Sequence, residues 1–201
     1  MELFDKQNLL DADRELTRLL AEFDAAEYRV KGEKEAKLMS WPMKPHEAIL
    51  LFGLIMLEQP DVVFESGTAV GWSSSWMALA SQAPVFTFDP FVREAVFRSH
   101  VRVAKRHYEP FESGVVKLLN TSDWKGKKKL FMIDGDHTKE GAIADFTAIE
   151  PYVERGDLIV YHDTSFEVGV RKAVKHIVRK YPHWDDKRII TVNGMHVITV
   201  T

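Results

Sequence analysis

Two short apolar runs in the second half of the chain are each followed by a cluster of acidic and imidazole side chains. The runs are residues 130–133 and 158–161, and the polar residues after them are Asp134, Asp136, His137, His162 and Asp163. Carboxylates and imidazoles can bind a divalent cation, and a neutral imidazole can accept a proton near neutral pH. These residue types therefore indicate metal binding or acid–base chemistry at the ends of the two runs.

The two apolar runs are predicted to be parallel strands, because the segment between them has the spacing of an amphipathic helix. The apolar residues that share one face of this helix, predicted over 138–153, are Ala142, Ile143, Phe146, Ile149 and Val153. Glu140 and Asp145 lie on the same helix and are expected at the surface. In open parallel sheets, ligands bind at the carboxyl ends of the strands, so the two polar clusters are expected to meet there.

The rest of the chain continues this alternation of strands and helices. Further strands are predicted at 61–65, 85–88 and 115–119, and further helices at 46–57, 72–81, 91–108 and 168–180. Asn193-Gly194, within the alternating segment 188–201, indicates a C-terminal antiparallel hairpin. The predicted fold is therefore α/β, with a doubly wound, mostly parallel, seven-stranded sheet, a C-terminal hairpin and N-terminal helices. Residues 1–45 are predicted to form an N-terminal helical cap, and residues 46–201 the main body of a single compact domain.

The composition is that of a soluble globular protein. The chain has 201 residues, of which 45% are hydrophobic and 28% charged, which is enough for one domain with a sizeable core. The formal net charge of −3 argues against a nucleic-acid binder, whose surface should be basic. The chain has no cysteine, which excludes disulfides and thiolate metal ligands and is typical of a reducing cytoplasm. Because the N-terminus is acidic and amphipathic, we expect a cytoplasmic protein without a signal peptide or membrane span.

A glycine-containing turn in the first half of the chain is predicted to bind a nucleotide-type cofactor. Gly67 and Gly71 lie between a predicted strand and a predicted helix, where glycine allows positive φ and close approach of a ligand to the backbone. The turn matches neither the G-x-G-x-x-G dinucleotide pattern nor a phosphate-binding P-loop. Asp89 ends the second strand, 22 positions after Gly67, where a carboxylate can bind ribose hydroxyls. A ribose without a pyrophosphate suggests S-adenosylmethionine; the alternative is an ordinary loop glycine and a turn residue before Pro90.

The motifs ESGTAVG (65–71) and IDGDH (133–137), with the later HD (162–163), resemble the class I S-adenosylmethionine-dependent methyltransferases. The likeness is greatest to the macrocin O-methyltransferase-like group, which is related to catechol-type O-methyltransferases. It implies that residues 46–201 form a Rossmann-like, cofactor-binding methyltransferase domain. The cofactor-binding residues that the resemblance implies are Glu65, Gly67, Thr68, Gly71, Ser73, Asp89, Ser122 and Asp134.

The resemblance also implies a role for several of these residues. Glu65 and Gly67 would line the methionine end of the cofactor, and Ser73 would bind its carboxylate at the start of a helix. Asp89 would hold the ribose. Ser122, in the loop after the predicted third strand, would touch the edge of the adenine.

The second cluster is predicted to hold a metal and a base. Asp134 and Asp163, from neighbouring strand ends, form half of a site for a hard cation such as Mg²⁺, which substrate oxygens could complete. In catechol-type relatives, an acidic ligand at the position of Asp134 is followed three residues later by a lysine base, and His137 occupies that place here. Those relatives have Asp-Asn where this chain has His162-Asp163, so an acid is missing and the metal requirement stays open. His162 is a third candidate ligand that would favour a transition metal. The structural alternative makes Asp134 and Asp136 helix or turn caps, and His162 a hydrogen-bonded buried histidine.

These observations predict an enzyme that transfers the methyl group of S-adenosylmethionine to an oxygen of a small hydroxylated molecule. His137 would accept the acceptor's proton, and Asp134 and Asp163 would hold a divalent cation that lowers the pKa of the acceptor hydroxyl. The loop 40–44 is expected to shape the acceptor pocket, and the N-terminal helices to provide a homo-oligomer contact. Two alternatives stay open: an NAD-linked oxidoreductase on the same scaffold, and a noncatalytic module for cofactor binding or assembly.

Overall fold

A computed structural model of the chain describes residues 43–69, 71–81, 83–91 and 104–201. Its strands are β1 (Val62–Ser66), β2 (Val85–Phe88), β3 (Ala104–His107), β4 (Lys129–Ile133), β5 (Leu158–Tyr161), β6 (Asp185–Ile189) and β7 (Met195–Thr199). Its α-helices are α1 (Pro45–Glu58), α2 (Trp72–Ala80), α3 (Phe111–Leu119), α4 (Lys139–Ile149) and α5 (Val168–Lys180). Two short 3₁₀ turns, Ser122–Trp124 and Glu150–Tyr152, follow α3 and α4. None of the helices in the described ranges is long and apolar enough to cross a membrane.

The seven strands form one sheet in the order β3-β2-β1-β4-β5-β7-β6. The first five strands in this order are parallel to one another. β7 runs antiparallel to both β5 and β6, so the chain ends in a hairpin that needs no crossover helix. The predicted α/β fold with a mostly parallel seven-stranded sheet and a C-terminal antiparallel hairpin is confirmed.

Helices cover both faces of the sheet. Successive strand residues point to opposite faces, and because both sets of residues are apolar, both faces must be buried. In β1, Val62 and Phe64 belong to the core cluster formed with α3, α4 and α5. Val63, between them, belongs to the cluster formed with α1 and α2. Strands that are buried on both faces consist of continuous apolar runs, which is why β1, β4 and β5 could be recognised from the sequence.

Two of the predicted elements are wrong. Residues 115–119, predicted as the third strand, form the second half of α3, and its buried residues Phe111, Val115 and Leu119 recur every four positions, as on one face of a helix. The third strand is instead β3, which falls within the helix predicted over 91–108. β3 has the polar sequence AKRH and pairs with β2 at one end of the sheet order, so no apolar run marked it.

Some predictions lie outside the described residues. These are the N-terminal helical cap over 1–45, apart from its last three residues, and positions 92–103 of the helix predicted over 91–108. The helix predicted over 46–57 is confirmed as α1, which begins one residue earlier and ends one residue later.

The register of the parallel strands brings their carboxyl ends to one level. Ser66, the last residue of β1, is paired with Phe88 of β2 and with Ile133 of β4. Ile133 is in turn paired with Tyr161 of β5. The residues that follow these four strand ends are Gly67, Asp89, Asp134 and His162. The polar residues singled out in the sequence therefore lie side by side at the carboxyl ends of the parallel strands, which we call the carboxyl edge of the sheet.

The turn after β1 packs directly against the end of β4. Gly67 has a φ of +90°, and a Cβ atom added to it would lie 2.3 Å from the carbonyl oxygen of Asp134. Asp134 donates its N–H to the carbonyl of Ser66 over 3.0 Å, and Gly67 donates to that of Phe88 over 2.9 Å. Position 67 thus requires glycine for two reasons: a left-handed backbone and a backbone-to-backbone contact.

A buried carboxyl of α4 is hydrogen-bonded to the residue that precedes the same turn. Asp145 of α4 was expected at the surface, but only 3% of it is exposed, and its Oδ2 accepts a 2.7 Å hydrogen bond from the Ser66 hydroxyl. Burial raises the pKa of Asp145 to about 7, although the Ser66 hydrogen bond acts in the opposite direction. The expectation was wrong because this polar residue lies on the buried face of α4, where it accepts a hydrogen bond from the last residue of β1.

We expect Gly67→Ala to destabilise the protein by about 3 kcal/mol, because it adds steric overlap with Asp134 to the strain of a left-handed residue. Gly156→Ala is the matched control: its φ is +95°, but an added Cβ would meet no atom within 4 Å. That control should lose only about 1 kcal/mol. Urea unfolding measures both losses, and equal losses would show that the close contact with β4 is energetically unimportant.

We expect the Asp145→Asn variant to be more stable than the wild type above pH 7, by on the order of 2 kcal/mol. The folded-state pKa of Asp145 is about 7, and the ordinary value is 3.8. Its contribution to stability is therefore fully present below pH 4 and is lost as the pH rises through 7. Asparagine stays neutral and still offers an oxygen to Ser66.

The measurement is the free energy of unfolding of both proteins between pH 4 and 8. Burial also raises the pKa of Glu65 to about 7, so the informative quantity is the difference between variant and wild type. Glu140→Gln, an exposed change on the same helix, should leave the wild-type slope unaltered. Parallel curves for Asp145→Asn and the wild type would contradict the assignment.

Candidate functional site

The ends of β4 and β5 bring three metal-ligating side chains together. Asp134, His162 and Asp163 each offer one ligand atom, and these atoms lie within 4.8 Å of one another. His162 Nδ1 is 3.3 Å from Asp134 Oδ1 and 3.3 Å from Asp163 Oδ1. Two carboxylates and an imidazole are a suitable donor set for a divalent cation. The predicted convergence of these residues is therefore observed.

Asp163 has two features that suit a ligand-binding position. Its φ is +59°, a left-handed conformation that aspartate tolerates better than most residues but that still strains the backbone. Its Oδ1 is buried and has no aligned hydrogen bond among the residues that the structure describes, and its neighbour is His162 Nδ1 at 3.3 Å. A buried carboxylate oxygen without an aligned hydrogen bond is costly, so this oxygen is suited to a cation or another ligand.

His162 is fixed by carboxylates on both sides of its ring. The residue is 1% exposed, and its Nε2 lies 3.1 Å from Oε2 of Glu47. Burial alone would lower the pKa of His162, but Asp134, Asp163 and Glu47 outweigh burial and raise it well above its ordinary value. The alternative of a hydrogen-bonded buried histidine is thus met at both nitrogens, at Nε2 by Glu47 and at Nδ1 by Asp134, and Nδ1 also lies next to Asp163.

Glu47 is a site residue that sequence reasoning missed. It lies in the first turn of α1, is fully buried and accepts hydrogen bonds from the Lys44 N–H (2.9 Å), the Thr191 hydroxyl (2.6 Å) and the Asn193 N–H (2.8 Å). Burial would raise the pKa of Glu47, but the hydrogen bonds, above all that from His162, lower it to about 2. In the sequence, an acid in the first turn of a helix is explained by the helix dipole and by capping, so nothing pointed to a partner 115 positions away.

His137, the predicted base, lies on the open side of the same cluster. Its Nε2 is 3.3 Å from Asp163 Oδ2 and 3.5 Å from Asp134 Oδ1, without the alignment of a hydrogen bond, and its side chain is 39% exposed. Asp134, with a further contribution from Asp163, raises the pKa of His137 in spite of its partial burial. The predicted cap role of Asp136 is observed, because its Oδ1 accepts a 2.8 Å hydrogen bond from the Thr138 N–H.

The glycine turn and the start of α2 surround a buried carboxyl. Glu65, at the end of β1, is fully buried and accepts hydrogen bonds from the hydroxyls of Ser73 and Ser74. Gly71 is the N-cap of α2 with a φ of +86°. The hydroxyl of Ser73, predicted to bind the cofactor's carboxylate, is therefore directed at Glu65. The Thr68 hydroxyl is likewise hydrogen-bonded to that of Thr87.

Asp89 ties the glycine turn to the end of β2. Its Oδ2 accepts a 2.8 Å hydrogen bond from the Ala69 N–H, and its Oδ1 accepts one of 2.9 Å from the Phe91 N–H. Arg106 of β3 also holds the turn by donating to the Ala69 carbonyl over 2.7 Å. Asp89 is thus a turn residue, and each of its oxygens still has a lone pair for a further donor such as a ribose hydroxyl.

The position predicted for Ser122 is wrong. The residue was expected in the loop after the third strand, but it lies in a 3₁₀ turn between α3 and β4. α3 starts after the carboxyl end of β3 and leads back to the amino end of β4. Ser122 therefore lies at the amino ends of the strands, whereas Gly67 and Asp89 lie at their carboxyl ends. The error follows from the misassigned strand at 115–119. Ser122 is therefore separated from the other predicted cofactor-binding residues.

Comparisons with solved structures show the same fold in known enzymes. An O-methyltransferase from Bacillus cereus, solved in complex with SAH, aligns over 92% of this chain and 90% of its own with a TM-score of 0.67 and 16% identity. TomG from Streptomyces achromogenes, an O-methyltransferase of tomaymycin synthesis solved with SAM, aligns over 98% and 91% with a TM-score of 0.64 and 16% identity. The SAH-bound methyltransferase PaMTH1 from Podospora anserina aligns over 98% and 97% with a TM-score of 0.67 and 11% identity. At these identities the likeness shows the fold alone.

A family model also matches the chain, whereas a search of curated protein sequences finds no match. The model describes a methyltransferase domain and matches residues 64–164, which is half of the chain. The matched part runs from within β1 through the glycine turn to Thr164, the residue after Asp163. The resemblance to the methyltransferases is thereby confirmed, while the macrocin-like subgroup stays a prediction. The chain belongs to this methyltransferase domain family.

Proposed function

We propose that the protein binds S-adenosylmethionine and transfers its methyl group to an oxygen of a small hydroxylated molecule. The observation that carries this proposal is that two groups of residues lie side by side at the carboxyl edge of the sheet. The first group is the turn at Gly67 with the carboxylate of Asp89. The second is the cluster of Asp134, Asp163 and His137. The family match and the O-methyltransferases among the structural neighbours, solved with SAH or SAM, support it.

The residues around the glycine turn fit such a cofactor. S-adenosylmethionine supplies an electrophilic methyl group on a sulfonium. Asp89 has lone pairs free for ribose hydroxyls, and the backbone at Gly67 carries no side chain that would obstruct a ligand. Glu65 and the N-terminus of α2, which begins after Gly71, border the same turn. These residues would hold the donor at the carboxyl edge, next to Asp134.

The residues at the ends of β4 and β5 fit a divalent cation. Asp134, Asp163 and His162 would hold it, and the buried Oδ1 of Asp163, which has no aligned hydrogen bond among the described residues, is the observation that favours a ligand there. When bound, a divalent cation lowers the pKa of a hydroxyl and orients it. Mg²⁺ and transition-metal ions are both within the chemistry of this donor set.

His137 is proposed as the base. Methyl transfer is an in-line displacement at carbon, so the protein must align the acceptor oxygen with the donor and remove the acceptor's proton. His137 is the partly exposed imidazole at the cluster, and its Nε2 has no hydrogen-bond partner among the described residues. In its neutral form this nitrogen can take the proton of a hydroxyl that lies against Asp134 and Asp163.

We further propose a small-molecule acceptor, a cytoplasmic location and a homo-oligomer formed through the N-terminal segment. The net charge of −3 and the lack of cysteine support the first two, and the amphipathic pattern of residues 1–28 supports the third. If the protein bound the cofactor but formed no S-adenosylhomocysteine with any acceptor, the noncatalytic alternative would be favoured. Binding of NAD in place of S-adenosylmethionine would favour the oxidoreductase.

We expect Asp89→Asn to weaken S-adenosylmethionine binding about tenfold or more, because a charged acceptor of ribose hydroxyls is lost while one backbone hydrogen bond can be kept. Titration calorimetry with S-adenosylmethionine, S-adenosylhomocysteine and NAD measures the affinities. Asp123→Asn, an exposed change in the turn after α3, should bind like the wild type. An unchanged affinity in a folded Asp89→Asn protein would remove Asp89 from the cofactor site.

We expect His137→Ala to lower kcat about 10²- to 10⁴-fold while the affinity for S-adenosylmethionine stays within a factor of about three. The readout is formation of S-adenosylhomocysteine with an acceptor selected from a panel of catechols, simple phenols and sugars. His176→Ala removes an exposed imidazole from α5 and should leave kcat unchanged. Wild-type turnover by His137→Ala would mean that another group is the base.

A further inference from the structure

We propose that Glu47 is a positioning residue that directs Nδ1 of His162 towards Asp134 and Asp163, and that the resulting three-ligand site prefers transition-metal dications to Mg²⁺. This inference rests on the divalent-cation part of the proposed function. It concerns the identity of the ion and a residue of α1 that lies outside the segment matched by the family model.

The first step is the orientation of the imidazole. His162 Nε2 lies 3.1 Å from Glu47 Oε2, whereas Nδ1 is 3.3 Å from one oxygen of each aspartate. Because Glu47 accepts the Nε2 proton, the Nδ1 proton is the one that a cation would displace, and the lone pair exposed in this way is on Nδ1. The ring therefore presents its ligating nitrogen to the two carboxylates. This pairing of a carboxylate with the far nitrogen of a histidine is a common arrangement behind metal ligands.

The second step is the rigidity of Glu47 itself. Its Oε1 accepts hydrogen bonds from Thr191 and Asn193, in the loop between β6 and β7, and its Oε2 accepts one from the Lys44 N–H. The carboxylate is fully buried, and it connects α1, the C-terminal hairpin and the end of β5. Because three donors fix the carboxylate of Glu47 in place, this carboxylate can hold the ring of His162 in one orientation. Glu47 is thus suited to a positioning role, because both of its oxygens are engaged by His162 and these three donors.

The third step is the choice of ion. Mg²⁺ prefers oxygen ligands and keeps several waters, whereas an imidazole nitrogen increases affinity for ions such as Co²⁺, Ni²⁺ and Zn²⁺. The cluster has one imidazole and two carboxylates, and an oriented Nδ1 adds a nitrogen ligand at no further cost in side-chain entropy. Asp163 Oδ1, which is buried and has no aligned hydrogen bond among the described residues, lies 3.3 Å from that nitrogen.

A purely structural role for Glu47 makes a different prediction. If the pair of Glu47 and His162 only joined α1 to β5, its loss would lower stability and leave the relative affinities for metal ions unchanged. The ratio of Co²⁺ to Mg²⁺ affinity is therefore the informative quantity, because a general loss of stability affects both ions alike.

The experiment uses the full chain, stripped of metal with a chelator, and titrates it with Co²⁺ and Mg²⁺ alone. We expect the wild type to bind Co²⁺ at least about 100-fold more tightly than Mg²⁺. Glu47→Gln should weaken Co²⁺ about 10- to 100-fold and Mg²⁺ by less than a factor of about three. His162→Asn, which replaces the nitrogen by an amide oxygen, should abolish the preference. Ile177→Val, a buried change in α5 that is not part of this hydrogen-bond network, is the control: it should lower the unfolding midpoint and keep the ratio.

A spectroscopic measurement identifies the ligand directly. Electron spin echo spectra of the protein with bound Mn²⁺ should show coupling to an imidazole ¹⁴N in the wild type and none in His162→Asn. Equal affinities for Co²⁺ and Mg²⁺, no cation binding, or no ¹⁴N coupling would each overturn the inference. If Glu47→Gln does not fold, the wild-type spectrum and His162→Asn still decide the choice of ion, and Glu47→Asp, which shortens the side chain and keeps its charge, decides the positioning role by the same ratio of affinities.

Failure of this inference can be told apart from failure of the proposed function. S-adenosylmethionine binding and S-adenosylhomocysteine formation are measured on the same chelator-treated protein. Methyl transfer that survives without metal, together with absent cation binding, would overturn the inference and leave the methyltransferase proposal standing. Tight Co²⁺ binding through His162 in a protein that binds no S-adenosylmethionine would support the inference on the ion and contradict the proposed cofactor.

Discussion

The site depends on the contact between the turn after β1 and the end of β4. Gly67 lies so close to the Asp134 carbonyl that no side chain fits between them, and the Asp134 N–H is bound to the Ser66 carbonyl. Parallel pairing fixes the level at which each strand ends, and this contact then closes the gap between the glycine turn and the acidic cluster. The glycine turn and the acidic cluster, which are far apart in sequence, therefore lie next to each other at the carboxyl ends of the strands.

The buried charges at this edge stabilise one another only as a set. Glu47, His162 and Asp163 are all more than nine-tenths buried, and an isolated charge in such a place would be very costly. The imidazole between the carboxylates offsets part of that cost, and the backbone N–H groups of Lys44 and Asn193 offset more of it at Glu47. Such a network can fix the orientations of its members even where it adds little stability. Its value for chemistry lies in that fixed geometry.

Much of the fold and part of the site could be predicted from the sequence, because strongly apolar strands and the polar residues after them are local signals. β1, β4 and β5 and the convergence of Asp134 with Asp163 were found in this way. β3 was missed because it is short and polar, and the strand assigned to 115–119 displaced Ser122 to the wrong edge. The second error arose because a short apolar run is compatible with a helix as well as with a strand.

The contributions of Glu47 and Asp145 could not be predicted, because their importance lies entirely in tertiary partners. Glu47 looks like an ordinary first-turn acid, and Asp145 like a surface residue of an amphipathic helix. Their partners, His162 and Ser66, are 115 and 79 positions away. Sequence periodicity places a residue on a face of its own element but does not say what that face meets.

Asp134 links the two halves of the site through different groups of one residue. Its main chain is joined to Ser66 and packs against Gly67, whereas its carboxylate lies 3.3 Å from His162 and 3.5 Å from His137. A donor held at the glycine turn and an acceptor held at the acidic cluster would therefore be positioned from a single rigid strand end. In-line transfer requires that these two positions be fixed relative to each other. Asp134, whose backbone adjoins the glycine turn and whose carboxylate belongs to the acidic cluster, would meet that requirement without a conformational change.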